Sequence, residues 1–427
     1  MKILHVNTYD TGGAANACLR LHMGLRSLGV KSKVLLKHNT RQIEATHAYN
    51  PPEASWDKKI KNKLLRIGRE LKLLSWIPHY ERRAIALEKY REGLELISYP
   101  FSNTDITTSA LYQEADIIHL HWVANFLDWK SFFRKNTKPV VWTLHDQNPF
   151  LGIEHYAERF QGMDSNGKPI PRVYAPQEQA EEQKMQEYKQ QMLAQAKSDL
   201  LIVSPSVWMM REAQNSKLFG KYRSRHIPNG FPTNIFKPLD KNFCREVLGL
   251  PKDRKVLLFV SDSLENKRKG FAFLKAALSN GKEDDWTLCA VGRKHALTFS
   301  SSSELIELGA IHDERLMAMV YAAADVFVIP SLEDNLPNTM IESLLCGTPV
   351  IAFPTGGIVE VVQDGQNGWL CPEISVEALS STIERAKRER EKMNRLQIAA
   401  EAAKKYNLQK QAQAYIEVYE ELLNKTI

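Results

Sequence analysis

Cysteine is scarce and scattered in this sequence. Of 427 residues, five are cysteine, at positions 18, 244, 289, 346 and 371, and no two form a Cys-x-x-Cys pair. Such a set excludes a disulfide framework and argues against a zinc knuckle, leaving small buried apolar residues as the expected role. Long apolar runs are missing too: none approaches the ~20 residues that cross a bilayer. The opening apolar stretch, residues 2–6, is too short for a secretory leader and runs into Asn7 and Asp10. A cytoplasmic location is therefore expected. With 21 Gly and 19 Pro the chain is not of low complexity, and 43% hydrophobic with 25% charged residues excludes disorder and fibre. Basic stretches interleaved with aromatics are absent, so nucleic acid is not an expected partner.

What is present is a repeated strand–turn–helix grammar. Residues 2–6 form an apolar run, followed by a turn containing Gly12 and Gly13. Ala17, Leu21, Leu25 and Leu28 then recur at helical spacing before Gly29, and residues 34–36 read as the next strand. Further buried strands are predicted at 116–121, 140–145, 200–204, 256–260, 287–291, 325–330 and 350–353, each near a helical segment. The pattern predicts an α/β protein of two doubly wound halves, the length suiting about two or three compact units. Proline and glycine break the periodicity between 228 and 251. We place an N-terminal domain at 1–235, a second at 236–404 and a closing helical segment at 405–427. The stretch 177–197, rich in Gln and Glu with a thin apolar stripe, reads as an exposed helix.

The net charge of +7 is unevenly spread. Residues 1–110 carry 18 Lys+Arg against 10 Asp+Glu, and the rest is nearly neutral. In residues 56–77, Trp56, Ile60, Leu64, Ile67, Leu71 and Leu74 line one helical face, with Lys58, Lys59, Lys61, Arg66, Arg69 and Lys72 mainly off it. Two readings stand: a helix packed on the first domain, or an interfacial helix on anionic headgroups.

Several strings suit anion or polyol chemistry. Gly12 and Gly13 let backbone approach a ligand at a helix N-terminus, although an ordinary tight turn uses the same residues. Asn266-Lys267-Arg268-Lys269-Gly270 puts cations beside a glycine at a strand end, suited to a diphosphate; a solvated basic loop is the plain alternative. Asp334 falls in a loop before Pro337, and Glu342 follows in the first turn of the next helix. Two carboxylates can accept the hydroxyls of a vicinal diol, while Thr339-x-x-Glu342 also reads as a capping box. Gly356-Gly357 is a further glycine pair after a strand. His119 and His121 share one face of a strand, and His145-Asp146 closes the next. A metal site there lacks a supporting Cys/His cluster, so polar residues lining a cleft are the expected role and no metal is assigned.

Together these strings resemble the GT-B glycosyltransferases, in particular retaining glycosyltransferase family 4. The resemblance spans nearly the whole chain and is strongest over 255–371. It rests on Asp334-x7-Glu342 followed by Cys346-Gly347-Thr348-Pro349. It rests also on Gly12-Gly13, His145, Ile227-Pro228-Asn229-Gly230, Arg268-Lys269-Gly270 and Gly356-Gly357. The resemblance implies that the second domain binds a UDP- or GDP-linked sugar and the first domain the acceptor, with the last helix crossing back onto the first domain. It implies His145, Lys269 and Asp334 as catalytic residues. Donor binding falls to Gly12, Gly13, Arg268, Lys269, Asp334, Asn335, Glu342, Gly356 and Gly357, with Glu342 on the ribose. His119, His121 and Asp146 lie on the acceptor side. Two departures stand out. The first acidic residue is Asp where the family usually has Glu. Ser263 stands where many relatives have an Arg, leaving Arg268 or Arg293 to supply that charge.

The resemblance implies a retaining transfer of a hexose-type sugar to a glycan or lipid-linked glycan, in surface polysaccharide assembly, with no cofactor beyond the donor. A metal-independent reaction fits the absence of an Asp-x-Asp motif at a strand end. Peripheral contact of 56–77 with the inner face of the cytoplasmic membrane would suit a lipid-linked acceptor. A sugar-nucleotide epimerase on the same fold and a non-catalytic carbohydrate-binding relative are the competing readings.

Overall fold

Strand β1 (Lys2–Tyr9) has six consecutive buried residues, the signature of a central parallel strand covered on both faces. It pairs in parallel with β2 (Lys31–His38), Lys2 opposite Lys31, and with β4 (Ile117–Leu120), His5 opposite His119. With β3 (Thr46–Ala48), β5 (Val140–Thr143), β8 (Leu200–Ser204) and β9 (Arg223–His226) they form a seven-stranded sheet, ordered β3-β2-β1-β4-β5-β8-β9. A second parallel sheet is ordered β12-β11-β10-β13-β14-β15. Its strands are β10 (Lys255–Ser263), β11 (Trp286–Arg293), β12 (Glu304–Gly309), β13 (Val326–Ile329), β14 (Val350–Ala352) and β15 (Gly368–Leu370). An antiparallel hairpin, β6 (Phe160–Met163) with β7 (Pro169–Pro171), stands apart. The computed structural model describes residues 1–51, 79–88, 90–91, 94–263, 266–279, 286–293 and 304–424. The amphipathic segment 56–77 lies outside the described residues.

Both sheets reverse direction at one place, between β1 and β4 in the first and between β10 and β13 in the second. Ligands of open parallel sheets bind beyond the carboxyl ends of such strands. The turns that follow these four strands carry Gly12-Gly13, His121, Lys269 and Asp334. The expected strands are all present; β3, β9, β12 and β15, toward the sheet edges, and the β6–β7 hairpin were not expected, being short or broken by polar residues.

The helix Leu408–Asn424 packs on the helix Gly13–Ser27 of the first domain. A Cβ at Gly24 would come within 3.0 Å of Leu408, so the missing side chain sets how closely these helices approach. Tyr415 and Tyr419 are buried beneath the first sheet, donating to or accepting from Thr143 and His119 at 2.7 Å. All five cysteines are free and buried.

One expectation is corrected. The helix Pro176–Leu193 buries Glu178, Met185, Lys189, Met192 and Leu193 and so is not simply exposed. Lys189 donates to the carbonyls of Asn148 (2.5 Å) and Leu151 (2.8 Å), and burial lowers its ammonium to about 7. Its stripe looked thin because the inward face mixes kinds: Met185, Met192 and Leu193 join the apolar core, while Lys189 holds loop backbone.

Candidate active site

The C-terminal side is built on a short turn, Lys267–Lys269, closed by Gly270 in the left-handed region (φ 70). A Cβ there would lie 1.8 Å from the Pro330 carbonyl oxygen, so only glycine lets this turn fold onto the end of β13. The turn delivers Lys269 Nζ to Asp334 Oδ2 at 2.6 Å. Burial raises the Asp334 carboxyl, but Lys269 and Arg268 outweigh it and hold the group below its usual range. Lys269, Asp334, Ser331, Pro337 and Thr339 line one recess. Gly356 and Gly357 pack under the same loop: a Cβ would lie 1.8 Å and 2.0 Å from the carbonyls of Asp334 and Asn335.

Arg268 does something other than expected. It is buried over the Tyr156 ring at 4.2 Å, donating Nε (2.8 Å) and Nη2 (2.5 Å) to Glu95 and Nη1 to the Glu333 carbonyl (2.7 Å). Its charge joins the two domains and is not open to a diphosphate. Burial raises the Glu95 carboxyl, yet Arg268 and the hydrogen bond from Asn266 bring it down to about 2. Arg293 is exposed, its Nε donating to the Asp262 carbonyl at 3.2 Å. Arg268 Nη1 also lies 3.5 Å from Asp334 Oδ2, the oxygen that Lys269 holds, whereas Arg293 has no such contact among the described residues.

The capping-box reading of Thr339 and Glu342 also fails. The helix Asn338–Leu345 starts after Pro337, with Thr339 inside it and no side-chain cap. Glu342 instead accepts from Arg20 Nη2 (2.7 Å) and Tyr321 Oη (2.9 Å). Arg20 is fully buried, lies over the rings of Phe231 and Phe236, and also donates Nε to Glu314 at 2.8 Å. The sequence signal for Arg20 was a charge within the apolar stripe of its helix, three residues after Ala17.

Across the cleft, Gly12 (φ 92) opens the helix Gly13–Ser27, whose first turn has no side-chain cap and no acidic residue. A Cβ on Gly12 would meet nothing within 4 Å, so this backbone faces open space. Asn338 Nδ2 donates to the Gly13 carbonyl at 2.8 Å. Asn335 reaches over as well, its Nδ2 donating to the carbonyls of Leu144 (3.0 Å) and His145 (3.2 Å) while its Oδ1 accepts from Ser206 (2.6 Å). Asn335 thus ties the Asp334 loop to the strand end that carries His145.

His145 is partly exposed and lines a shallow recess with Tyr99, His121, Trp122, Asp146 and Asn148. Asp146 accepts from Trp122 Nε1 (2.6 Å) and pairs with His155 Nδ1 (2.5 Å), and His155 stacks on Trp122. His119 is corrected: it is fully buried between Thr143 and Tyr419 and does not reach the acceptor side. The reason is distance along the strand, since His121 stands two residues nearer the carboxyl end where the cleft opens. Among the described residues one His/Cys group could hold a metal: His5, Cys18 and His121, with ligand atoms within 4.8 Å of one another.

Residues 254–388 match the family model described as Glycosyl transferases group 1. This region is similar to a group 1 glycosyltransferase domain. The chain is 33% identical over 165 residues to a D-inositol 3-phosphate glycosyltransferase of Acidothermus cellulolyticus, covering 35% of this chain and 37% of that protein. It is 26% identical over 312 residues to D-inositol 3-phosphate glycosyltransferase 2 of Catenulispora acidiphila, covering 65% and 66%. The chain thus spans about a third to two thirds of the length of these relatives. Among solved structures, sucrose-phosphate synthase of Thermosynechococcus elongatus is similar over 100% of both chains, with a TM-score of 0.68 at 18% identity. Anabaena Alr3699/HepE in complex with UDP and glucose is similar over 98% of this chain and 99% of its own, with a TM-score of 0.65 at 17% identity. The paired sheets around this region are the GT-B fold.

Proposed function

We propose that the protein is a retaining, metal-independent glycosyltransferase that moves a hexose-type sugar from a nucleoside-diphosphate sugar to a glycan or lipid-linked glycan. The observation that carries this reading is the Lys269–Asp334 pair, which lines a recess at one sheet's switch point while the neighbouring Asn335 is bonded to the His145 carbonyl of the other. That HepE has been solved with UDP-glucose supports a donor of the same kind here.

In this reading the bond between the anomeric carbon and the diphosphate oxygen breaks, an acceptor hydroxyl oxygen bonds to that carbon, and the hydroxyl proton passes to the departing diphosphate. Positive charge grows on the sugar and negative charge on the leaving group. Lys269 exchanges Asp334 for the diphosphate. The uncapped N–H groups at Gly13 share the load, and the freed Asp334 accepts hydroxyls of the hexose. Glu342 keeps a second lone pair on each oxygen beside Arg20 and Tyr321, enough for a ribose diol. Trp122, backed by His155 and Asp146, offers the acceptor an aromatic face with polar neighbours.

Lys269→Ala should lower turnover by ~3–4 kcal/mol in barrier, a few hundredfold, with the fold retained by circular dichroism. Activity within a few-fold of the native protein refutes the assignment. A thermal-shift panel of UDP, GDP and their sugars identifies the donor, and turnover should persist in chelator. We further propose that the basic segment 56–77 brings the enzyme to the cytoplasmic membrane, where a lipid-linked acceptor lies. Cosedimentation with anionic liposomes at low salt should show it, and a protein left wholly in the supernatant sinks the idea.

A further inference from the structure

Three histidines are joined end to end through the first sheet. His5 Nδ1 lies 2.9 Å from His121 Nε2, and His121 Nδ1 lies 3.0 Å from His145 Nε2. His5 is on β1, His121 just past β4 and His145 just past β5, three neighbouring strands. The chain therefore runs from the middle of β1 to the carboxyl ends of β4 and β5, from a fully buried ring to the partly exposed one that lines the recess. Burial holds the His5 and His121 imidazoles well below their ordinary range and lowers His145 to about 4. At neutral pH each ring is uncharged and carries one N–H.

Three neutral rings in series admit two directions. Either each donates outward, leaving His5 Nε2 as a bare lone pair, or each donates inward, leaving His5 Nε2–H as a donor. That atom is buried and has no hydrogen-bond partner. The neighbouring rings offer it nothing. His22 is engaged by Ser32 and the Glu44 carbonyl, and His119 by Tyr419 and Thr143. The remaining polar neighbour is Cys18, whose sulfur lies within 4.8 Å of ring nitrogens of His5 and His121. Burial raises its thiol, so it keeps its proton and can offer only a weak S–H. An orphaned buried N–H is the rarer and costlier of the two endings, and a thiol hydrogen favours the bare lone pair. The outward direction follows.

We propose that His5 and His121 fix the tautomer of His145: His121 Nδ1–H donates to His145 Nε2, so the only ring proton of His145 sits on Nδ1. That nitrogen has no hydrogen-bond partner among the described residues, which leaves it for a substrate oxygen. His145 then acts as a hydrogen-bond donor and not as a base, and His121 is a positioning residue. The consequence for catalysis rests on the reading of His145 as facing the transferred sugar; the tautomer itself does not.

Two-bond proton–nitrogen spectra of the full-length protein labelled with nitrogen-15 histidine, at pH 7 and without substrate, report which ring nitrogen is protonated. The His145 signal is assigned by its loss in His145→Gln. The proton should be on Nδ1 in the native protein. It should remain there in His121→Gln, whose amide N–H can replace the ring donor, and move partly or wholly to Nε2 in His121→Leu. A native His145 protonated on Nε2 overturns the proposal. So does a stoichiometric zinc or copper ion in the purified protein, because the Cys18 sulfur and ring nitrogens of His5 and His121 would then be spent on the metal. In turnover, His121→Leu should lose at least about tenfold in kcat, with donor KM changed less than about threefold, and His121→Gln should recover most of it. Equal losses in both variants would mean that His121 only fills space. If the spectra agree but His145→Gln turns over normally, the placement of His145 at the sugar fails while the tautomer assignment stands.

Discussion

Glu333 shows how one residue beside a motif can carry a cost. It precedes Asp334 and is just as buried, and burial outweighs the pull of Arg159 and Arg268 and pushes its carboxyl up to about 7. Asp334, one position on, is held down by Lys269 and Arg268. Two adjacent carboxyls shifted in opposite directions follow from how closely cations approach them, a fact the string Glu333-Asp334 does not contain. The folded pKa of Glu333 lies above its unfolded value of 4.5, so folding takes up a proton. Its penalty is absent below the unfolded value, grows as pH rises toward about 7 and is complete above it. Glu333→Gln should therefore raise the melting temperature at pH 8 and leave it unchanged near pH 4. A shift of equal size at both values would remove the explanation. The acidic pair Asp334 and Glu342 and the cation Lys269 were legible from spacing, and Arg20 left only the trace of a charge in an apolar stripe, whereas Glu95 and Tyr156 were not legible, being single residues in segments with no motif.

At the scale of elements, the helix Gly13–Ser27 does two jobs. Its N-terminus is the glycine turn facing the cleft, and about two turns further along it sends Arg20 into the second domain to pair with Glu314 and Glu342, each at 2.7 Å. Removing one member of a buried pair leaves the other uncompensated, typically at ~3–5 kcal/mol. Arg20→Ala should lower the melting temperature. Because Glu342 is assigned to the donor ribose, it should also raise KM for the donor more than it lowers kcat. Calorimetry and donor titration check this, and a variant with native values of both would show that Arg20 does not orient Glu342. The helix itself was readable from Ala17, Leu21 and Leu25 at helical spacing. Its partner was not, because periodicity says which face is buried and nothing about what covers it.

For the whole molecule, the cleft is bridged at several points. Glu95 of the first domain holds Arg268 and Asn266 of the second. Glu360 of the second domain accepts from the N–H groups of Val207 and Trp208, capping a helix of the first. The loop bearing the β6–β7 hairpin adds a backbone bond from Val376 N–H to the Gly167 carbonyl at 2.9 Å. The Glu95 link is ionic, and its carboxyl is lowered to about 2 in the folded protein from 4.5. A depressed acid contributes stability above its unfolded value and loses it as pH falls through the folded one. Small-angle scattering should therefore show the radius of gyration constant from pH 7 to about 5 and rising as pH falls from there toward 2. Glu95→Gln should show the wider form already at pH 7. An identical radius for both proteins across this range would place the closing force elsewhere.

Local pattern alone determined the strands, the glycine turns and the chemical kinds gathered at strand ends, because alternation, helical spacing and the backbone needs of glycine are written within a few neighbouring residues. Tertiary structure decided the pairings. Lys269 meets Asp334 across 65 positions and Arg20 meets Glu342 across 322. Such contacts depend on how two separately folded sheets face one another and on which cation reaches a buried carboxylate first. Those distances are set by packing, so the same residues read along the chain suggested Arg268 for a phosphate when the fold had already given it to Glu95.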